Sequence, residues 1–154
     1  MIRHNEITSV DPRRYFNDAI GGEDNFTDAG FPHSDTDIYG NYIQGAWDDA
    51  IEAEGSNRNV RIWGNYIDQA AVAIASTVTH HGPLYLFRNV YNRSRKLSER
   101  PADNDDRGPM FKAGAGARFG HGRRYVFHNT SLQPPAADGA RLPLGAGGGL
   151  SGNT

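Results

Sequence analysis

The sequence predicts an all-β chain wound as a parallel β-helix of about five coils, on three observations. One phrase recurs: an apolar residue, any residue, then Gly, Arg or His, then Asn, and it spaces Asn41, Asn65 and Asn89 24 residues apart. Short alternations precede the Asn, as in Val60-Arg61-Ile62-Trp63 and Leu84-Tyr85-Leu86-Phe87, the pattern of strands with one buried face. No stretch keeps apolar residues at helical spacing over the roughly 11–18 residues that mark an amphipathic helix. A unit of 24 residues with two or three short strands is the repeat of a β-helix, whereas a propeller blade needs about 40.

The elements follow in order. Ile2-Arg3-His4-Asn5-Glu6-Ile7 has the form of the phrase, 36 residues before Asn41. Asn17-Asp18-Ala19-Ile20 opens a second strand of that first coil, and residues 21–36, GGEDNFTDAGFPHSDT, are an acidic insertion. Asp37-Ile38-Tyr39-Gly40-Asn41-Tyr42-Ile43 and Arg61-Ile62-Trp63-Gly64-Asn65-Tyr66-Ile67 are two copies of one phrase, separated by Trp47-Asp48-Asp49-Ala50-Ile51-Glu52-Ala53-Glu54. Leu84-Tyr85-Leu86-Phe87-Arg88-Asn89 is the third copy, and Tyr125-Val126-Phe127-His128-Asn129 follows 40 residues later. Asn153 lies 24 beyond Asn129. Between copies, residues 93–118 carry many charges and read as a solvated excursion. Residues 134–149, rich in Pro, Gly and Ala, read as a flexible loop. The Gly-Asn pairs mark turns, because Gly and Asn tolerate the left-handed conformation. Stacked coils would align the Asn side chains into a hydrogen-bonded column.

One domain of 154 residues accommodates five or six such repeats. The chain opens inside one repeat phrase and stops as another begins, so residues 1–154 read as a single β-helix domain belonging to a longer one. Net charge is −2 with both signs interspersed, which gives no reason to expect nucleic acid or a membrane surface. No apolar run approaches the 18 or so residues of a membrane-spanning helix. The chain has no Cys, which removes disulfides and thiolate metal sites.

The phrases around 37–92 resemble the right-handed parallel β-helix proteins of the pectate-lyase and polygalacturonase type. The segments that carry the resemblance are Trp47-Asp48-Asp49-Ala50-Ile51-Glu52, Asn59-Val60-Arg61-Ile62-Trp63-Gly64-Asn65 and Gly82-Pro83-Leu84-Tyr85-Leu86-Phe87-Arg88-Asn89. The resemblance implies a right-handed winding, a secreted or extracytoplasmic location, and a polysaccharide partner, most of all an acidic one. It implies lyase- or epimerase-like chemistry, with Ca²⁺ as a cofactor that binds the acidic sugar. The polygalacturonases carry Asp on one coil, Asp-Asp on the next and Gly-His-Gly on the third. Asp18 and Asp48-Asp49 match the first two, but Ala71-Val72-Ala73-Ile74 stands where the His belongs. Gly120-His121-Gly122 lies further on. That departure weighs against hydrolysis. The fold also hosts non-catalytic adhesin-like and structural modules, which is the alternative.

The candidate site starts from an echo: Asn17-Asp18-Ala19-Ile20 aligns with Asp48-Asp49-Ala50-Ile51, Asp18 falling 31 before Asp49. On successive coils these carboxylates would lie about 4.8 Å apart. Such a pair repels unless it holds a proton, a cation or a basic partner. Asp18, Asp48, Asp49 and His80 are therefore the catalytic candidates, with Asp18 and Asp49 also candidate Ca²⁺ ligands. Equally, Asp at a turn caps backbone N–H groups. Alternation sends Ile51 and Ala53 inward and Glu52 and Glu54 outward, so Glu52 is a groove candidate or a solvated group. Glu23 would fall beside Glu54 by the same offset. His80-His81 is a base, a metal ligand or a polar turn. Tyr39, Trp63, Phe87 and Phe127 share one slot and would stack, as a platform for sugar or a stripe covered by a loop. Trp63 and Arg88, the latter in the slot of Gly40 and Gly64, complete the substrate-binding candidates.

Overall fold

A computed structural model of the chain describes residues 1–22, 25, 27–94, 108–113, 120–132 and 145–146. Its strands are β1 (Ile2–Arg3), β2 (Glu6–Thr8), β3 (Asp37–Tyr39), β4 (Tyr42–Glu52), β5 (Val60–Trp63), β6 (Tyr66–Ser76), β7 (Leu84–Phe87) and β8 (Val90–Tyr91), then β9 (Phe111–Ala113), β10 (Arg124–Phe127), β11 (Thr130–Ser131) and β12 (Gly145–Ala146). One 3₁₀ turn spans Pro12–Arg14, with Asp11 at its N-terminus.

The strands form two parallel sheets. One runs β1-β3-β5-β7-β10 and the other β11-β8-β6-β4-β2. From β1 to β8, successive strands in the chain alternate between the two sheets. Register follows the repeat: Ile38 pairs with Ile62 and Ile62 with Leu86, each 24 residues on. The longer intervals of the sequence hold too. Ile2 pairs with Ile38, and Val126 with Leu86.

The alternation in these strands divides the side chains as expected. Ile38, Ile43, Ile62, Ile67, Leu84 and Leu86 are fully buried in one core. Their neighbours Tyr39, Trp63, Phe87 and Phe127 stack face to face on the other side, with centroids 4.2, 5.8 and 5.0 Å apart.

At the turn, the Asn column predicted for Asn41, Asn65 and Asn89 is present and extends to Asn5 and Asn129. From Asn41 on, each side-chain oxygen accepts from the backbone N–H and the amide of the Asn one repeat earlier, at 2.9–3.1 Å. These amides neutralise donors that would otherwise be orphaned in a buried turn.

The residue before each Asn is left-handed: His4, Gly40, Gly64, Arg88 and His128 have φ of 53, 63, 62, 55 and 56°. This is the reason for Gly in the repeated phrase, since a side chain there costs about 1–2 kcal/mol. Glycine loses more entropy on folding, which offsets part of the gain. Arg88→Gly is therefore expected to raise stability by about 0.5 kcal/mol, or roughly 1–2 °C in melting temperature. A fall in thermal denaturation would mean that the exposed Arg88 side chain contributes to the fold.

The excursion expected over 93–118 needs correction within its described part. Phe111–Ala113 is a strand that pairs with β6, Ile74 opposite Phe111. Three residues of alternation are too few to stand out in a charged stretch. Most of 93–118 and 134–149, together with Glu23 and Asn153, lies outside the described residues. No helix among the described residues is long and apolar enough to cross a membrane.

Candidate functional site

The site is built where β4 breaks register. Ala46 pairs with Ala70, but Asp49 pairs with Val72, so β4 carries one extra residue between them. Past the break, Ala50, Ile51 and Ala53 are fully buried in the core. The preceding segment lies alongside as the echo predicts. Ile20 bridges to Ile51, Ala19 N–H donates to the Asp49 carbonyl, and Glu52 N–H donates to that of Ile20. Val72 opposite Asp49 confirms that no His stands on the next strand.

Asp18, Asp48 and Asp49 converge. Each offers a carboxylate oxygen, and the three oxygens lie within 4.8 Å of one another. Asp18 is half-buried and Asp48 exposed, while Asp49 is only 1 % exposed. Asn17, Asp18, Gly21 and Gly22 line an open recess of about 290 Å³ beside them. The backbone N–H of Asp49 donates to Asp18 Oδ1 at 3.0 Å, so Asp18 also acts as a cap. The amide of Asn17 donates to Asp18 Oδ2. Among the described residues, Oδ1 of Asp49 is buried with no hydrogen-bond partner, an exception in folded proteins that calls for a ligand, an ion or water.

A second group shares Asp49. Oxygens of Asp49, Glu52 and Glu54 also lie within 4.8 Å of each other. Glu52 and Glu54 were expected to be solvated or to line a groove. Instead they are 8 % and 2 % exposed. They are sequestered because their neighbourhood includes an insertion and a later strand that repeat counting does not place there. Asn25, from the 21–36 insertion, donates to Glu52 Oε1 at 2.9 Å. Lys112 of β9 places Nζ 2.8 Å from Asp49 Oδ2 and 3.5 Å from Glu54 Oε1. Glu54 also accepts from the Thr77 backbone N–H.

Three carboxylates thus face one ammonium. Burial pulls the Lys112 ammonium down, but its hydrogen bond to Asp49 and the charges of Asp49, Glu54 and Asp48 outweigh that and raise it above the usual lysine range. Burial pushes the Asp49 carboxyl up to about 7, against the opposing hydrogen bond and charge of Lys112. Burial also raises Glu52, while Asn25 opposes it.

The folded chain keeps on Asp49 a proton that the unfolded chain releases near the ordinary value of 3.8. The resulting stabilisation is complete below that value and is lost as pH rises toward 7. Asp49→Asn removes this titration while keeping an acceptor for Lys112. Denaturation at about pH 4 and pH 7.5 is therefore expected to show the variant gaining on the wild type as pH rises, by on the order of 3 kcal/mol. A stability difference independent of pH would mean that Asp49 titrates alike in both states.

The other candidates lie elsewhere. His80 pairs with Asp28, its Nδ1 2.6 Å from Asp28 Oδ1, and does not join the Asp18 group. Trp63 belongs to the other sheet. Its ring is sandwiched between Tyr39 and Phe87, with interplanar angles of 4 and 7°. Both of its faces are therefore occupied, and its Nε1 donates to Asp37. Arg88 is exposed at the turn joining β7 to β8. Gly122 of the Gly-His-Gly tripeptide donates its N–H to the Thr79 carbonyl and packs beside His81.

Sequence reasoning missed Lys112, Asn25 and Asp28. The one available signal was the short run Phe111-Lys112-Ala113. No protein family, curated protein or solved structure matches the chain.

Proposed function

We propose that the chain is a right-handed parallel β-helix that binds an acidic polysaccharide at the Asp18–Asp48–Asp49 cluster, beside the recess that Asp18 lines, through a divalent cation of the Ca²⁺ type. Strands that alternate between two parallel sheets in a 24-residue register support the winding, and parallel crossovers favour the right hand. The observation that carries the site is the convergence of three carboxylates beside an open recess, one with a buried oxygen that has no partner among the described residues. Hard oxygens suit Ca²⁺, which takes six to eight such ligands, waters and carboxylates among them. Lys112 already compensates the Asp49–Glu52–Glu54 side. Among the described residues no cation pairs with Asp18 or Asp48, and an acidic sugar would need one there. A secreted or extracytoplasmic setting, and flanking repeats of a longer β-helix, belong to the same proposal.

Lyase- or epimerase-like chemistry is the reaction class we assign, since Val72 stands in place of the His that hydrolysis in the polygalacturonase manner needs. The test is incubation with a panel of uronic-acid polysaccharides, with and without Ca²⁺, following both binding and ultraviolet absorbance of unsaturated product. Product that depends on Ca²⁺ supports elimination; binding without it, and with the uronic-acid residues unchanged by NMR, restricts the proposal to recognition.

A second proposal is a non-catalytic structural module. It is favoured by the structural duties of the same carboxylates: Asp18 caps a backbone N–H and Asp49 is ion-paired to Lys112. Neither binding nor product from any polysaccharide would select it.

A further inference from the structure

We propose that Asp28, His80 and His81 form a site for a divalent transition-metal ion of the zinc class, independent of the carboxylate recess. Each residue offers one ligand atom, and these atoms lie within 4.8 Å of one another. Asp28 Oδ1 is 2.6 Å from His80 Nδ1. The two imidazoles lie side by side, centroids 4.3 Å apart and planes 19° from parallel.

The backbone beneath them is held on both sides. His80 N–H donates to the Gly55 carbonyl at 3.0 Å and Gly82 N–H to that of Asn57 at 2.6 Å. Gly122 packs so closely that a Cβ there would fall 2.7 Å from the His81 carbonyl carbon. The His pair therefore sits on a fixed turn, and Asp28 reaches it from the 21–36 insertion.

The donor set separates this site from the recess. Two imidazole nitrogens and one carboxylate suit Zn²⁺ and its transition-metal neighbours, while Ca²⁺ prefers oxygen alone. An ordinary ion pair is the competing explanation, but Asp28 is 74 % exposed, and an exposed pair contributes little. It also gives no role to His81. Three protein ligands among the described residues match zinc sites that keep a position for water or substrate rather than closed structural ones.

The experiment is calorimetric titration of Zn²⁺ into the whole chain near neutral pH, with Co²⁺ absorption as a signature of the ligand set. The wild type is expected to bind one ion, and His81→Ala and Asp28→Asn each to weaken binding at least about tenfold and to alter the Co²⁺ bands. Both residues project from the surface, so the melting temperatures of the metal-free variants should stay near that of the wild type. Should His81→Ala fail to fold, Asp28→Asn decides alone. Absence of Zn²⁺ binding by the wild type, or equal affinity in wild type and Asp28→Asn, overturns the site.

Discussion

Lys112→Met is expected to be among the most damaging single substitutions in the chain, lowering stability by about 3–5 kcal/mol at neutral pH. The variant keeps the length of the side chain and removes the ammonium. Asp49 and Glu54, 1 % and 2 % exposed, then lose the cation 2.8 and 3.5 Å away. A buried charge stripped of its partner cannot recover its hydration, so it takes up a proton or the fold opens. On the first route the loss shrinks in acid, where Asp49 already carries its proton. Thermal denaturation should therefore show a drop of about 10 °C near pH 7.5 and a smaller one near pH 5. A drop of equal size at both pH values would assign the effect to packing of the Lys112 stem rather than to charge.

Asn65→Ala is the second large effect. Asn65 is fully buried. Its oxygen accepts from Asn41 N–H and Nδ2, and its amide donates to the Ile38 carbonyl and to Asn89 Oδ1. Removing it strands donors on one side and acceptors on the other, inside a turn without room for solvent. Each unsatisfied buried group costs about 1–3 kcal/mol, so a total near 4 kcal/mol is expected. Asn5→Ala at the exposed end of the column removes an amide that donates to Asn41 Oδ1, and about 1 kcal/mol is expected there. Chemical denaturation of the two variants gives the comparison. Equal losses would mean that the column carries no cooperative weight.

The fold was legible where one physical rule governs each position. The Asn column, the Gly slot and the alternating Ile and Leu positions all reappear at the same spacing, because each repeat must satisfy the same turn and the same core. Asp18 beside Asp49 was legible for the same reason: the two share a phrase. The remainder of the site depends on insertions, which break the period. Lys112 reaches Asp49 across 63 residues, and no local pattern predicts that contact. Without it, Glu52 and Glu54 look like solvent-facing groups on an alternating strand. Asp28 likewise lies in an insertion, so His80 could be singled out from the sequence but not its partner. The aromatic column was predicted as stacked. Its ring orientation was not, and that orientation decides whether Trp63 has a face to offer.

The most direct test of the proposed cation site is calorimetric titration of Ca²⁺ into the wild type and into the Asp18→Asn/Asp48→Asn double variant near pH 7.5. Both substitutions keep the shape of the recess and an oxygen at each position, and Asn at residue 18 can still accept the Asp49 N–H. The wild type is expected to bind one Ca²⁺ per chain, and the double variant to lose at least about tenfold in affinity, as a carboxylate-rich oxygen site requires. No heat of binding in the wild type, or the same affinity in both proteins, would contradict a cation at these carboxylates.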